Sequence, residues 1–486
     1  MGALEAVMGS GTGETMTVAY LTCDQAIFTS IRGAMGEGYR IVAASRGLRP
    51  EEKQAVTRLS PSHEALCWQP GAGGDADPAF AAAFYPLPTG RLCVAYSCYA
   101  GAEHTARGGH RVYTHNLVFE ERDFPSCEFN PFRVIRAMIA AGLTVPDLAP
   151  GAVLPEVRLP IDAGGPPSTA SFAVAVDSPH RRCALQGLFD ERTLVVPLQT
   201  GWVETAEALI LGIPGPMRSK VSLGAGLRYS VGRCHRLHVF CDEKGAARSR
   251  IVGQAVEYLD PMVALPDAPT CAWLAFVDRH WIRADGAALS RRTSRPFTDV
   301  GAAARERIGN LYNAIDAVPQ TSILDLLTLA VSHLGACSSG VEDDIRKELL
   351  AGTHQTLLRR LAIVRWADAR TFWPRLVALW RRKDAAFAQP LIDATLRALM
   401  REDALVAAEA ALDVASDLPP GLNQDHHTRL LGEVLDRLAS HRPSDADAAR
   451  LAALCARWQT LRPLDPGLLE LLGWDSLVPS AGPASA

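Results

Sequence analysis

The chain has 486 residues, which at ~150 residues per domain is enough for about three domains. It is 48% hydrophobic and 21% charged, an ordinary globular mix that excludes a disordered or fibrous polymer. Forty-nine basic against 53 acidic residues leave a net charge of −4, which argues against a general nucleic-acid binder, because such proteins carry a basic excess.

In chain order, residues 1–17 read as a disordered lead, and an α+β amino-terminal domain follows over 18–150. There GYRIVAAS has the length and composition of a strand. Gly47 then turns into a helix with Pro50 at its first position and Glu51 and Glu52 in its first turn, where the helix dipole favours negative charge. Pro61 marks its end. RLCVAYSCY and RVYTHNLVF, separated by a polar loop, pair as an antiparallel hairpin. Asn130-Pro131 is a cap followed by a first-turn proline. Phe132, Ile135 and Ile139 recur at helical spacing until Gly142 stops the helix. Prolines and glycines crowd residues 146–167, which read as a linker.

A middle α+β domain spans 165–285. SFAVAVDS, RTLVVPL, KVSLGAGL, RLHVFC and CAWLAFV are expected as strands, and WVETAEALILGI as a helix. Glycine then thins out: 29 of the 39 glycines precede residue 300. Over 301–475 the apolar period is 3.6, which predicts an all-α domain of roughly eight helices, a bundle or a short solenoid. Ser322 and Asp325 form a capping box ahead of the stripe Ile323, Leu326, Leu327, Ala330, Val331, Leu334. Two further stripes run over Leu430–Leu438 and Leu451–Leu461. Residues 476–486 read as a flexible tail. The fold class is therefore multidomain: α+β amino-terminal and middle domains followed by an all-α helical carboxy-terminal domain.

Few motifs carry chemistry. The run Gly9-Ser-Gly11-Thr-Gly13 lacks the lysine of a P-loop and has Glu14 in its place, so phosphate would be repelled. Eleven scattered cysteines with no CxxC pair exclude a disulfide framework. Within RCHRLHVFC, strand alternation puts Cys234 and His238 on one face and His235 and Cys241 on the other, so one metal ion cannot reach all four. No metal site and no cofactor is expected. No run reaches the ~18 apolar residues of a membrane helix, and the first sixteen residues show no secretory signal. A cytoplasmic protein with no membrane partner is expected.

Two constellations stand out. Around the hairpin loop, Glu103, His104, Arg107, Arg111 and His115 combine proton-transfer groups with anion-holding arginines. They read either as an acid–base or anionic-ligand site or as a hydrogen-bonded scaffold. In the helical region, Arg365, Trp366, Trp373 and Trp380 combine the residue types enriched at protein–protein contacts. They are candidates for partner binding. The chain has 44 arginines and five lysines, most simply a composition effect, so the count alone marks no arginine as functional.

The phrases GYRIVAASRGLRPEEKQAVTRLSPSHEAL, LPTGRLCVAYSCYAGAEHTARGGHRVYTHNLVF and NPFRVIRA resemble the amino-terminal domain of the bacterial GTPase-associated protein 1 family. GWVETAEALILGIPGPMRSKVSLGAGLRYSVGRCHRLHVF is similar to that family's middle domain. The resemblance implies a component of an NTP-dependent bacterial conflict system that works beside a small Ras-like GTPase. It carries over no catalytic residue. The expectation is a non-enzymatic adaptor or regulatory subunit, with an enzyme or small anionic-ligand sensor built on the 103–116 cluster as the alternative.

Overall fold

The computed structural model describes residues 19–33, 36–68, 80–103, 109–144, 151–161, 167, 169–240, 256–265, 270–336, 340–381 and 385–417, with scattered positions between 433 and 457. The expected lead, the expected tail and most of the last two apolar stripes lie outside them. The chain forms two compact units, residues 1–310 and 311–486.

The first unit is built on one mixed sheet. Its strands are β1 (Tyr20–Gly33), β2 (Gly36–Ser45), β3 (Ala81–Pro86), β4 (Leu92–Ala102), β5 (His110–Phe119), β6 (Val153–Leu154), β7 (Val157–Pro160), β8 (Thr193–Pro197), β9 (Leu223–Ala225), β10 (Leu237–Phe240) and β11 (Val256–Tyr258). The order is β11-β8-β10-β9-β3-β4-β5-β1-β2-β6, with β7 paired to the start of β1. Strands β3, β4, β5, β1 and β2 are antiparallel to one another in turn, β6 adds to β2 in parallel, and β9, β10, β8 and β11 run parallel. The two halves meet at a short antiparallel ladder, Ala82–Ala225, Ala83–Gly224 and Phe84–Leu223. Strands expected in the amino-terminal and middle segments thus share one sheet.

Local chemistry explains most elements. α1 (Pro50–Leu59) begins at its proline with Glu51 and Glu52 in the first turn. Glu52 is fully buried, accepts from the Arg49 N–H and pairs with Arg91, which also holds Asp24 at 2.7 Å. In α2 (Pro131–Ala140) the Asn130 side chain accepts from the Phe132 N–H, and Gly142 follows at φ +71°. α3 (Ala170–Ala175), α4 (Ser178–Phe189), α5 (Trp202–Leu211) and the single turn α6 (Gly215–Arg218) complete the parallel half. There the strands are buried, α4 packing on β8 and α5 on β9 and β10; β8 is apolar at Leu194, Val195 and Val196, and β10 is apolar but for His238.

Two expected strands are helices. SFAVAVDS forms α3, and CAWLAFV opens the helix Ala272–Ile282. A short apolar run has no period to separate a buried helix from a buried strand. In the second case Cys271 caps the helix by accepting from the Leu274 N–H. Within the expected linker, β6 and β7 attach to β2 and β1.

The second unit is helical among its described residues: Ile323–His333, Val341–Leu361, Trp366–Arg381, Ala385–Leu399 and Ala404–Asp417. Ser322 caps the first of these, accepting from the Asp325 N–H. The helix Trp366–Arg381 packs against Ile323–His333, Ala385–Leu399 and Ala404–Asp417.

Candidate functional site

Strand registers gather several chain ends at one edge of the sheet. Ala102 lies opposite His110, Gly33 opposite Gly36, Ala81 opposite Ser97 and Ala82 opposite Ala225. The loop between β4 and β5 therefore shares this edge with the carboxyl ends of the parallel strands, where open α/β sheets bind their ligands.

Here Glu103 latches the two hairpins together. Its carboxylate accepts from the Ser30 hydroxyl at 2.7 Å and the Tyr39 hydroxyl at 2.6 Å, and the Tyr39 oxygen accepts from the Val112 N–H at 3.0 Å. Burial, reinforced by the hydrogen bond to Glu103, raises the Tyr39 pKa, so the phenol stays protonated as a donor. Arg111 is half-buried, and its Nε donates to the Ala100 carbonyl at 2.8 Å, bracing the hairpin mouth. His104 and Arg107 lie outside the described residues.

His115 is not part of this group. It sits five residues along β5 from His110, ~17 Å at the rise of an extended strand. It is buried mid-sheet, with Nδ1 2.6 Å from the Leu143 carbonyl and Nε2 2.9 Å from Gln25 Oε1. Burial lowers its pKa to about 4, against the partly compensating Leu143 hydrogen bond. The two oxygens suit a doubly protonated ring, and burial opposes it. Desolvation is the larger effect, so the ring is neutral and donates to one of the two oxygens. Gln25 in turn donates to the Pro155 carbonyl, so His115 ties the chain on both sides of the 145–150 segment to the sheet.

Sequence reading missed a row of aromatic rings on the same edge. Trp202, at the start of α5, stacks on Trp68 with centroids 6.3 Å apart and planes 12° apart. Trp68 meets Tyr99 edge-on at 6.0 Å, and Tyr99 lies 5.6 Å from His110. Gly226 permits this approach: at φ +72° it adopts a backbone that other residues resist, and a Cβ there would stand 2.7 Å from Trp202 Nε1. Trp68 and Trp202 are 134 positions apart, and tertiary pairing brings them together: Leu66 bridges Leu227, and the Cys67 N–H donates to the Gly226 carbonyl at 3.0 Å. Half-exposed aromatic rings beside the exposed Arg228 have the composition of a contact surface.

The middle segment contributes a buried clamp. Arg218 is fully buried; its Nε donates to Ile213 O at 2.8 Å, Nη1 to Glu128 O at 3.0 Å and Ser294 Oγ at 3.2 Å, and Nη2 to Leu211 O at 3.1 Å and to Thr293 Oγ1. Burial lowers its pKa to about 9, so it remains a cation at neutral pH, set against the carboxyl end of α5 as the helix dipole favours. Nearby, Glu207 accepts from Asn130 at 2.7 Å and from Arg136 in a two-bond fork at 2.9 Å.

The alternation expected for RCHRLHVFC does not hold. β10 starts only at Leu237, so His235 precedes the strand and its ring lies 5.3 Å from that of His238. Cys241 is outside the described residues. No group of three or more His, Cys, Asp or Glu among the described residues is placed to hold a metal ion. Among them, too, no helix is long and apolar enough to cross a membrane.

In the helical unit, Trp366 and Trp373 are buried, with rings 6.1 Å apart. Arg365 is exposed and Trp380 half-buried. Other arginines of this region brace the helices, Arg375 reaching Thr328 Oγ1 at 2.6 Å and Arg370 pairing with Asp413 at 2.9 Å. Of the four partner-binding candidates, Arg365 and part of Trp380 are at the surface of the unit.

Residues 22–160 match the family described as GTPase-associated protein 1, N-terminal domain type 2. Comparison with curated proteins finds no match, and neither does comparison with solved structures.

Proposed function

We propose, from the premise that residues 22–160 form a GTPase-associated protein 1 N-terminal domain of type 2, that this protein is a non-enzymatic adaptor or regulatory subunit of a bacterial GTPase-centred conflict or signalling system. Its partner in this reading is a small Ras-like GTPase or another protein of the same system. It works in the cytoplasm, without cofactor, nucleic acid or membrane.

The observation that carries the reading is the family match itself. The geometry agrees with contact better than with chemistry: Glu103 is occupied by two hydroxyl donors, and His115 lies far along the strand from it. The aromatic row Trp202–Trp68–Tyr99–His110 has a composition suited to a protein partner. The test is co-purification of the full chain with proteins encoded beside it. Capture of a GTPase at fixed stoichiometry supports the reading. Turnover of a small anionic substrate, abolished by Glu103→Gln with an unchanged melting temperature, would replace it with the enzyme or ligand-sensor alternative.

A further inference from the structure

His235 and His238 lie where the two halves of the sheet meet, and both are 1% exposed. The His235 backbone N–H donates to His238 Nε2 at 2.8 Å, which puts the His238 ring proton on Nδ1. That Nδ1 and both ring nitrogens of His235 have no hydrogen-bond partner among the described residues. Buried polar atoms are almost always paired, so three orphans on two adjacent rings call for a physical account. The His235 ring presses on Gly224 of β9, where a Cβ would stand 2.9 Å from its Cδ2, and lies 6.0 Å from the Tyr85 ring of β3. It therefore covers the three-pair ladder that joins β9 to β3.

The ionisable groups around the pair come from several elements. Tyr85 faces it from β3, and Tyr229 stands 5.1 Å from His238. Arg233 and Cys234 precede β10. Burial raises the pKa of both phenols, so they stay uncharged from neutral to acidic pH, and Arg233, a cation, opposes charge on either ring.

We propose that His235 and His238 form an acid-sensitive catch on the β3–β9 seam, whose protonation parts the two halves of the sheet while the Arg218 clamp keeps them tethered. Closed, the rings are neutral: burial, then Arg233, holds His235 at about 3, and burial, then His235 and Arg233, holds His238 well below its ordinary 6.5. Opened to water, both rings regain ordinary basicity and take up two protons. The ratio of open to closed seam then rises ~100-fold per pH unit below the ordinary histidine pKa.

Hydrogen exchange of the full chain, corrected for the intrinsic pH dependence of amide exchange, tests this between pH 7.5 and 5.0. Amides of β3 and β9 should lose protection ~100-fold per pH unit below 6.5, while the β1–β2 ladder loses less than tenfold. Equal loss over the whole sheet, or a seam indifferent to pH, overturns the proposal. The paired variant His235→Gln/His238→Gln should abolish the steep loss, and its retention would be contrary. Should that variant not fold, the single variants His235→Gln and His238→Gln decide: each leaves one titrating ring and should cut the loss of protection to ~10-fold per pH unit, whereas an unchanged ~100-fold dependence refutes the catch.

Discussion

Replacing Arg218 by methionine keeps an unbranched apolar stem and removes every donor from the clamp. Three buried carbonyls, those of Ile213, Glu128 and Leu211, lose their charged partner, as do the hydroxyls of Ser294 and Thr293. Each unsatisfied buried acceptor costs about 1–3 kcal/mol, relieved where water enters the vacated space. Breaking a buried charged cluster by removing one member costs about 3–5 kcal/mol. The expected loss for Arg218→Met is therefore ~4 kcal/mol. For a unit of this size that lowers the melting transition by roughly 8 °C, at the lower end of the usual 2–4 °C per kcal/mol. Arg218→Lys keeps the charge but gives up the planar fork, and should lose about half as much. Differential scanning calorimetry of the full chain reads both. A shift below 2 °C for Arg218→Met would refute the reasoning, because the guanidinium would then be no better placed than a thioether.

Burial holds the folded-state pKa of His115 at about 4, below its ordinary 6.5. Unfolding therefore takes up a proton between those values, and stability present above pH 6.5 falls as pH drops through that window. The slope is ~1.4 kcal/mol per pH unit and the total about 3 kcal/mol. Urea midpoints at pH 7.5 and 4.5 should show His115→Gln flattening that part of the dependence, and an unchanged slope would contradict it. Tyr39→Phe removes the hydroxyl shared by Glu103 and Val112 and should cost ~1–2 kcal/mol in the same assay. Trp373→Ala should destabilise the helical unit by roughly 3–5 kcal/mol, since the ring is buried. Arg365→Glu, at an exposed position, should leave the melting temperature within about 1 °C and serve as the cleaner probe of partner binding.

Elements with their own punctuation were legible in the sequence. Pro50, the Asn130-Pro131 cap, Gly142 and the Ser322–Asp325 box each marked a helix boundary through local chemistry, and the structure places helices there. The hairpin of β4 and β5 followed from two apolar runs around a polar loop. Short apolar runs were not legible, because a run without a polar face has no period that separates helix from strand. SFAVAVDS and CAWLAFV are helices for tertiary reasons that a short run does not encode. β1, the longest strand, alternates in burial only over Tyr20–Cys23 and is buried on both faces from Asp24 to Ser30.

Clustering in sequence was a poor guide to clustering in space. Glu103 and His115 are twelve positions apart and separated along one extended strand. Trp68 and Trp202, distant in the chain, stack. Arg218 reads as one basic residue among several in its segment, and its role depends on partners from three separate stretches. The tryptophans of Trp366–Arg381 drew attention by composition, and burial shows why two of them recur at a seven-residue interval: they face the inside of the helical unit.

The central claim, association with a GTPase, is tested most directly by isothermal titration of the full chain with any small Ras-like GTPase encoded beside it. The GTPase should be loaded in turn with GDP and with a non-hydrolysable GTP analogue. The account predicts a saturable complex at micromolar concentration or tighter, stronger in one nucleotide state than in the other. Absence of binding in both states at 100-fold higher concentration would contradict it.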